Sequence, residues 1–236
     1  MNTSATGIDA YLACPRFALL RRTLIRQSEP APLTIGTAMH GALEWGARAI
    51  MAGNVPSSDA VAVEYEKLVR SVDNVDWGNK TRGQAIWEGH QSTMAAWTVV
   101  KQLMPADVER EFELPTIGDS VLRGRIDLIT ADGVRWDFKS ASEKARWTAN
   151  KATEERQPGV YGAEMYHTEG VFDGSFRFLV ATKSKAPDVK QFEVPITAVR
   201  VMMSMVVAKL VQRAMNAGIF PPAGERCSGC PGNCED

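Results

Sequence analysis

The sequence predicts an α/β (α+β) protein with a central mixed sheet flanked by helices. Two observations predict this class. Apolar residues at helical spacing dominate residues 28–105, whereas short segments of apolar and polar alternation dominate residues 106–195. Within the second region, a helical segment at 152–167 separates three predicted strands from two further ones. Strands and helices in this order are typical of a sheet with helices packed against it.

Length and composition limit the interpretation further. With 236 residues, 44% of them hydrophobic and 23% charged, the chain has the composition of an ordinary globular protein, and we expect residues 1–236 to form one domain. The net charge of −1 gives no global positive field, so a polyanion would have to bind through local patches. No apolar run is long enough to span a bilayer and no signal-peptide core is visible. We therefore expect a cytoplasmic protein with no membrane partner.

The first 105 residues are predicted to be mainly helical. Residues 7–26 predict two short helices that are broken at Cys14-Pro15. The second helix carries an arginine cluster, which could be a solvated face or could contact phosphate groups. The members of this cluster are Arg16, Arg21, Arg22 and Arg26. A Pro-rich linker and three helices are expected next, at 28–34, 35–52, 59–72 and 80–104.

Two weaker candidates for a metal site lie in this part of the chain and in the first strand. His40 and Glu44 are four residues apart on a predicted helix and therefore share a face. A lone helix histidine is usually structural, so its interpretation as a ligand depends on packing against the sheet. The strand predicted at 107–116 has glutamates on its polar face. Solvation of an edge strand explains most of them, although Glu111 could belong to a metal site.

The most informative segment is 122–139, which predicts two short strands joined by a tight turn at 131–133. Apolar and polar residues alternate on both sides of the turn with a period of two, as expected for strands with one buried face. In the first strand, Ile126 and Leu128 are expected on one face and Asp127 on the other.

In the second strand, Asp137 and Lys139 share the polar face. Carboxylates on two neighbouring strands can converge on a hard cation such as Mg²⁺ or Mn²⁺. Such a cation polarises a phosphodiester and makes hydroxide available near neutral pH. Lys139 could orient or deprotonate the attacking water, and the backbone carbonyl of Phe138 would be a natural further ligand. The alternative is a salt-bridge ladder on an exposed sheet face, because an isolated Asp-x-Lys is a weak signal.

The segment after the hairpin is polar and basic. It places Lys144, Arg146 and Lys151 around Trp147, which looks exposed. Basic residues interleaved with an aromatic residue suit a nucleic-acid strand, although loop solvation explains them too. The helix at 152–167 carries Gln157 and Tyr161 on one face, and Pro158 either kinks it or marks its first turn. Strands at 174–182 and 189–194 and a helix at 196–217 complete the prediction, with Lys183 as a further basic candidate.

Six short motifs occur together in this chain. They are Y-L-x-C-P-x-x-F at 11–18, G-x-x-x-H at 36–40, G-R-I-D at 124–127, D-F-K at 137–139, Q-x-x-x-Y at 157–161, and the terminal cysteines. In their joint order and spacing, the chain resembles the RecB-like branch of the PD-(D/E)XK nuclease superfamily. Within that branch it is similar to the CRISPR-associated iron–sulfur exonucleases and the AddB-type nuclease domains.

The resemblance implies a restriction-endonuclease-like αβββαβ core at 106–195 with an N-terminal helical insertion. It implies that His40, Asp127 and Asp137, with the Phe138 carbonyl, hold a catalytic Mg²⁺ or Mn²⁺. It also implies that Lys139 is the catalytic lysine and that Gln157 and Tyr161 support the site. The implied activity is that of a DNA exonuclease or DNA-end-processing nuclease. The alternative is a DNA-binding accessory subunit of a recombination, repair or CRISPR-adaptation complex.

The four cysteines form the second strong signal. Four thiolates from the two chain ends could hold one [4Fe–4S] cluster, as the resemblance implies, or a structural Zn²⁺. These residues are Cys14, Cys227, Cys230 and Cys234.

The resemblance further implies as partners DNA single strands or duplex ends, a helicase or recombination protein, and further copies of the chain. It places the protein in the cytoplasm of a bacterial or phage-infected cell.

Overall fold

The structure is a computed structural model, and it describes residues 2–23, 28–141, 147–172, 174–184 and 186–223. Its strands are β1 (Glu29–Pro30), β2 (Val75–Asp76), β3 (Pro105–Pro115), β4 (Val121–Thr130), β5 (Arg135–Ala141), β6 (Gly174–Thr182) and β7 (Val189–Ile196). Strands β3 to β7 form one sheet in sequence order. The pair β5–β6 is parallel, and the other neighbours are antiparallel. The predicted mixed sheet is therefore confirmed.

The described helices lie between and around these strands. Their bounds are α1 (Ala5–Ala13), α2 (Pro15–Thr23), α3 (Ala31–Met51), α4 (Ser58–Arg70), α5 (Arg82–Val100), α6 (Ala149–Glu154), α7 (Gln157–Glu169) and α8 (Ala198–Asn216). Helices α6 and α7 lie in the connection between the parallel strands β5 and β6, which is the usual way to join parallel neighbours. None of the described helices is both long and apolar enough to cross a membrane.

Both faces of the sheet are covered, because two separate hydrophobic clusters flank it. One cluster joins the sheet to α1, α7 and α8, with Phe176 and Phe178 fully buried. The other joins it to α3, α4 and α5, with Trp136 and Phe138 buried. The expectation of strands with one solvated face is therefore wrong. Asp127 is only 6% exposed and Asp137 only 2%, which excludes an exposed salt-bridge ladder at these positions.

The regular alternation predicted for β4 is also wrong at one step. Ile126 packs in the cluster with α1, α7 and α8, whereas Leu128 packs in the cluster with α3, α4 and α5. The register pairs Val108 with Leu128 and Arg110 with Ile126, so Glu109 lies opposite Asp127. Glu109 has a φ of 53°, a left-handed conformation that non-glycine residues rarely adopt. The faces of both strands therefore change at the step that carries these two carboxylates.

Two other element boundaries differ from the prediction at proline residues. The segment expected to be a linker contains β1, which pairs in parallel with β2, and α3 already begins at Ala31. A proline in the first turn removes no helical hydrogen bond, so Pro32 is compatible with this start. In the same way Pro158 lies in the first turn of α7, rather than kinking a longer helix.

Candidate active site

Strands β4 and β5 are paired only beside their turn. The register contains two pairs, Leu128 with Trp136 and Ile129 with Arg135. Asp127 and Asp137 are the next residue on each strand, at the point where the pairing ends. The turn itself closes as predicted, with Gly133 at a φ of 82° and its amide donating to the Thr130 carbonyl at 2.8 Å. The two aspartates thus lie where the strands stop pairing, at the start of the gap between β4 and β5, which we call the cleft.

Asp127 is held by two donors from different elements. Its Oδ2 accepts a hydrogen bond of 2.6 Å from the backbone amide of Phe138. The same oxygen lies 3.3 Å from Nδ1 of His40 on α3. The His40 ring also packs edge-on against Phe138, with the ring centroids 6.1 Å apart. The structure therefore brings the helix histidine onto the hairpin, as its interpretation as a metal ligand requires.

Gly36 explains how α3 comes close enough to place His40. It lies one helical turn before His40, and a Cβ at this position would be 3.3 Å from Oγ of Ser140 on β5. Such a distance is tighter than ordinary van der Waals contact. The glycine of the G-x-x-x-H motif thus sets the approach of α3 to the strand that carries Asp137.

Asp137 is contacted by the two residues predicted to act with it. Its Oδ2 lies 2.6 Å from Nζ of Lys139, and its Oδ1 accepts a 2.7 Å hydrogen bond from the Gln157 side chain on α7. Tyr161, one turn further along α7, donates to the Arg125 carbonyl at 2.7 Å and does not contact Asp137 directly. Helix α7 thus ties together β5, through Gln157, and β4, through Tyr161.

Sequence reasoning missed Glu109. A nitrogen of His40 and carboxylate oxygens of Glu109 and Asp127 all lie within 4.8 Å of one another. Glu111, the residue singled out from the sequence, is exposed, because the left-handed conformation at Glu109 changes which side chain faces the site. Glu109 also forms an ion pair with Arg125. Glu44 is held by Arg48, at 2.9 Å.

The two aspartates titrate in opposite directions. Burial raises the pKa of Asp137 to about 6, although Lys139 partly offsets this effect. Burial also acts on Asp127, but His40 and the Phe138 amide outweigh it and lower the pKa of Asp127. Burial disfavours protonated His40, yet Asp127 outweighs this and raises the histidine pKa. Asp127 is therefore easier to ionise than a free aspartic acid, whereas Asp137 is harder to ionise although Lys139 lies beside it.

The donor set fits a divalent cation. Carboxylate oxygens from Glu109 and Asp127 and an imidazole nitrogen from His40 converge within one ion's reach, and Asp137 lies at the same end of the cleft. Carboxylate oxygens, which form most of this donor set, suit Mn²⁺ and Mg²⁺. Burial raises the pKa of Glu109 to about 7, with the Asp127 charge acting in the same direction. A bound cation would favour the ionised forms of these carboxyls.

The basic candidates predicted for DNA binding are described only in part. Trp147 is half-buried against Phe178, with ring centroids 5.1 Å apart, so the expectation that it is exposed is wrong. Lys151 lies over the Trp147 ring at 5.1 Å and pairs with Glu155 at 2.9 Å. Lys183 is half-buried, and burial lowers its pKa. Two further candidates, Lys144 and Arg146, lie outside the described residues.

The cysteine cluster can be described only in part. Cys14 is buried at the end of α1, and its sulfur accepts a 3.4 Å hydrogen bond from the Phe17 amide. Arg16, two residues later, donates its amide to the Pro221 carbonyl at 3.3 Å. The remaining predicted ligands lie outside the described residues. These are Cys227, Cys230 and Cys234.

Known proteins resemble this chain in sequence pattern and in fold. A family model described as the PD-(D/E)XK nuclease superfamily matches residues 2–234. No curated protein matches the sequence. The crystal structure of a putative exonuclease from Eubacterium rectale is similar, with a TM-score of 0.64 and 12% identity over 96% of this chain and 86% of that one. The crystal structure of SSO0001 matches with a TM-score of 0.36 and 10% identity over 87% and 86% of the two chains. The first likeness shows the fold alone, and the second carries no weight.

Proposed function

The chain belongs to the PD-(D/E)XK nuclease superfamily, and we propose that it is a divalent-metal-dependent exonuclease that processes DNA ends. One observation carries the proposal. Where β4 and β5 diverge, a carboxylate that is bonded to a helix histidine lies next to an Asp–Lys pair. These groups supply candidate metal ligands and a positively charged lysine, both of which suit hydrolysis of a phosphodiester.

Each residue has a proposed part in this reaction. His40, Glu109, Asp127 and Asp137, with the Phe138 carbonyl, would hold Mg²⁺ or Mn²⁺. The bound cation supplies Lewis-acid polarisation of the phosphodiester and a bound water of lowered pKa. Lys139 reaches Asp137 at 2.6 Å, so its ammonium can orient the attacking water or neutralise charge that builds on phosphorus.

Gln157 and Tyr161 are proposed to position the site rather than to react. The Gln157 amide fixes one oxygen of Asp137, which leaves the other oxygen to Lys139. Tyr161 holds the backbone of β4 two residues before Asp127. Partners of this kind typically change metal affinity or activity by about 10- to 100-fold when they are removed.

Exonuclease activity, rather than nuclease activity in general, rests on the motif resemblance and on the name of the structural neighbour from Eubacterium rectale. The test compares linear and covalently closed circular DNA of the same sequence, incubated with Mg²⁺, Mn²⁺ or EDTA. We expect metal-dependent release of nucleotides from the linear form and none from the circle. Equal degradation of the linear and circular DNA would show that the protein is an endonuclease and not an exonuclease. No degradation with either metal would contradict the proposal.

We also propose that the two chain ends share a [4Fe–4S] cluster, with Zn²⁺ as the alternative. The support is the position of the C-terminal segment beside Cys14. Tyr11 donates to the Ile219 carbonyl at 2.6 Å, and Pro221 accepts from Arg16. Cys227 follows Pro221 by six residues, which can span about 20 Å when extended. The chain therefore has the length to bring its C-terminal thiolates to Cys14.

A further inference from the structure

A cavity lies outside the metal site. It has a volume of about 470 Å³ and is lined by residues of the N-terminal segment, α1, α2, β4 and α8. Three arginines line it, and no acidic side chain does; they are Arg21, Arg22 and Arg123. Ser4 and Thr6, whose side chains carry hydroxyl groups, also line the cavity. This lining is suited to an anion with several acceptor oxygens.

The cavity and the metal site share one strand edge. Because β4 pairs with β5 only at residues 128 and 129, the rest of that edge is free of β5. The N-terminal segment occupies part of it, since Thr3 donates to the Val121 carbonyl at 3.2 Å and accepts from the Arg123 amide at 2.8 Å. The cavity thus opens beside the first half of β4, and the cleft at Asp127 opens beside its second half.

The positive charge of the cavity is accessible to a ligand. Arg21 and Arg22 are exposed, and within the described part of the chain no carboxylate lies within ion-pair distance of either. Arg22 contacts the Asn2 carbonyl at 3.4 Å. Arg123 pairs with Glu113 at 2.7 Å, but both side chains are more than half exposed, so water screens the pair and an anion can compete for it.

Resting on the proposed function, we propose that this cavity binds a backbone phosphate of the DNA strand that is cut at the metal site. Arg123 precedes Asp127 by four residues, which is about 13 Å along a strand. That length corresponds to about four nucleotides at the 3.4 Å rise of a B-form strand, and to fewer when a single strand is extended. Arginine suits this task because its planar guanidinium can donate two parallel hydrogen bonds to one phosphate.

The test measures binding without cleavage. Labelled single-stranded oligonucleotides of two to twelve nucleotides are titrated by fluorescence anisotropy in Ca²⁺ at several salt concentrations. The variant R21Q/R22Q is compared with the wild type and with K101Q/K209Q, which also removes two exposed positive charges. All four side chains are exposed, so we expect both variants to fold, and thermal unfolding checks this.

We expect the arginine variant to lose the gain in affinity that the wild type shows once the strand exceeds about four nucleotides. Two phosphate contacts account for a salt-dependence slope of about 1.4 on a single strand. Between 50 and 200 mM salt the variant should therefore lose about sevenfold less affinity than the wild type. Binding by R21Q/R22Q that matches K101Q/K209Q in length and salt dependence would overturn the proposal.

Two further arms separate the alternatives. Each oligonucleotide is titrated with and without a 5′-phosphate, and a loss confined to the phosphorylated strands would assign the cavity to terminal phosphates instead of backbone phosphates. Because binding is measured apart from cleavage, the two proposals can fail separately. A wild type that cuts no DNA but shows the arginine-dependent binding contradicts the nuclease alone, and active enzyme with unchanged variant binding contradicts the cavity alone.

Discussion

At the scale of single residues, environment shifts the pKa values of identical side chains in opposite directions. Asp127 and Asp137 are both buried at the start of one cleft. Burial alone would raise the pKa of both. The histidine and the backbone amide that contact Asp127 reverse the direction for that residue only. Asp127 is therefore easier to ionise than a free aspartic acid, and Asp137 is harder to ionise.

Glu109 gives a pH-dependent prediction for the metal-free protein. Its pKa is raised from 4.5 to about 7 by burial and by the Asp127 charge. Between these pH values the folded state holds a proton that the unfolded state has lost, so stability falls as the pH rises through this window. E109Q removes the titration. In EDTA we expect E109Q to melt a few degrees above the wild type at pH 8, with the difference closing by pH 5.

Metal binding gives a second measurement on E109Q, and E111Q is the matched control. Mn²⁺ at saturating concentration should raise the melting temperature of the wild type more than that of E109Q, because the variant lacks one ligand. E111Q, one position to the other side of Arg110 and exposed, should behave as the wild type in both conditions. A melting temperature of E109Q that runs parallel to the wild type across pH 5 to 8 would refute the raised pKa.

Residues of the candidate site could be predicted where local pattern or the motif resemblance points to them, and the resemblance supplied His40, Gln157 and Tyr161. Asp127, Asp137 and Lys139 occur on adjacent strands at a spacing that places them together whatever the details of packing. Glu109 could not be predicted, because it follows the same alternation as Glu111, and only its φ of 53° separates the two. Glutamate has no preference for the left-handed conformation, so the residue type at position 109 does not predict it.

At the scale of elements, the approach of α3 to β5 controls the position of His40. G36A should bring a methyl group within 3.3 Å of the Ser140 hydroxyl and displace the helix. Alanine is a better helix former than glycine by about 1 kcal/mol, so α3 itself is not weakened. We expect Mn²⁺ affinity, measured by calorimetry, to fall about tenfold, which is the lower range for residues that orient a ligand.

A second substitution tests whether the contact is the cause. S140A removes the hydroxyl that the new methyl group meets, so G36A/S140A should recover most of the affinity. G83A is the matched control on α5, because a Cβ there has no neighbour within 4 Å. Equal affinities for G36A and G83A would show that the close approach of α3 has no bearing on the metal site.

The elements themselves were predictable mainly where periodicity decides them. Alternation and the Gly133 turn predicted the hairpin, and apolar spacing predicted α3, α4 and α5. The start of α3 was missed because proline in a first turn resembles a linker. The burial of the aspartates was missed because alternation within one strand does not reveal that α3 to α5 cover the polar face.

At the scale of the whole molecule, helix α1 contacts the last residues of the described region. Phe220 packs edge-on against Tyr11, with the ring centroids 5.8 Å apart. Tyr11 lies three residues before Cys14. This contact places the start of the C-terminal segment where a shared cluster would need it. A clip between the ends would close a loop that contains almost the entire chain, and so would restrict the unfolded state strongly.

The cluster prediction is tested on protein purified without oxygen. We expect a broad visible absorption band and about four irons per chain, both lost in C14S. The melting temperature should fall with the iron content, because metal binding contributes to folding. A colourless wild type with one zinc per chain would contradict the iron–sulfur proposal and support the alternative Zn²⁺ site.

The measurement that tests the central claim most directly is the single-turnover rate of DNA cleavage by K139Q. Lys139 contacts only one of the proposed metal ligands, Asp137, so the other ligands remain in place when its charge is removed. We predict a rate about 10³-fold below the wild type in saturating Mn²⁺, with K101Q as the unaffected control. A K139Q rate within a few fold of the wild type would contradict the assignment of the active site to this cleft.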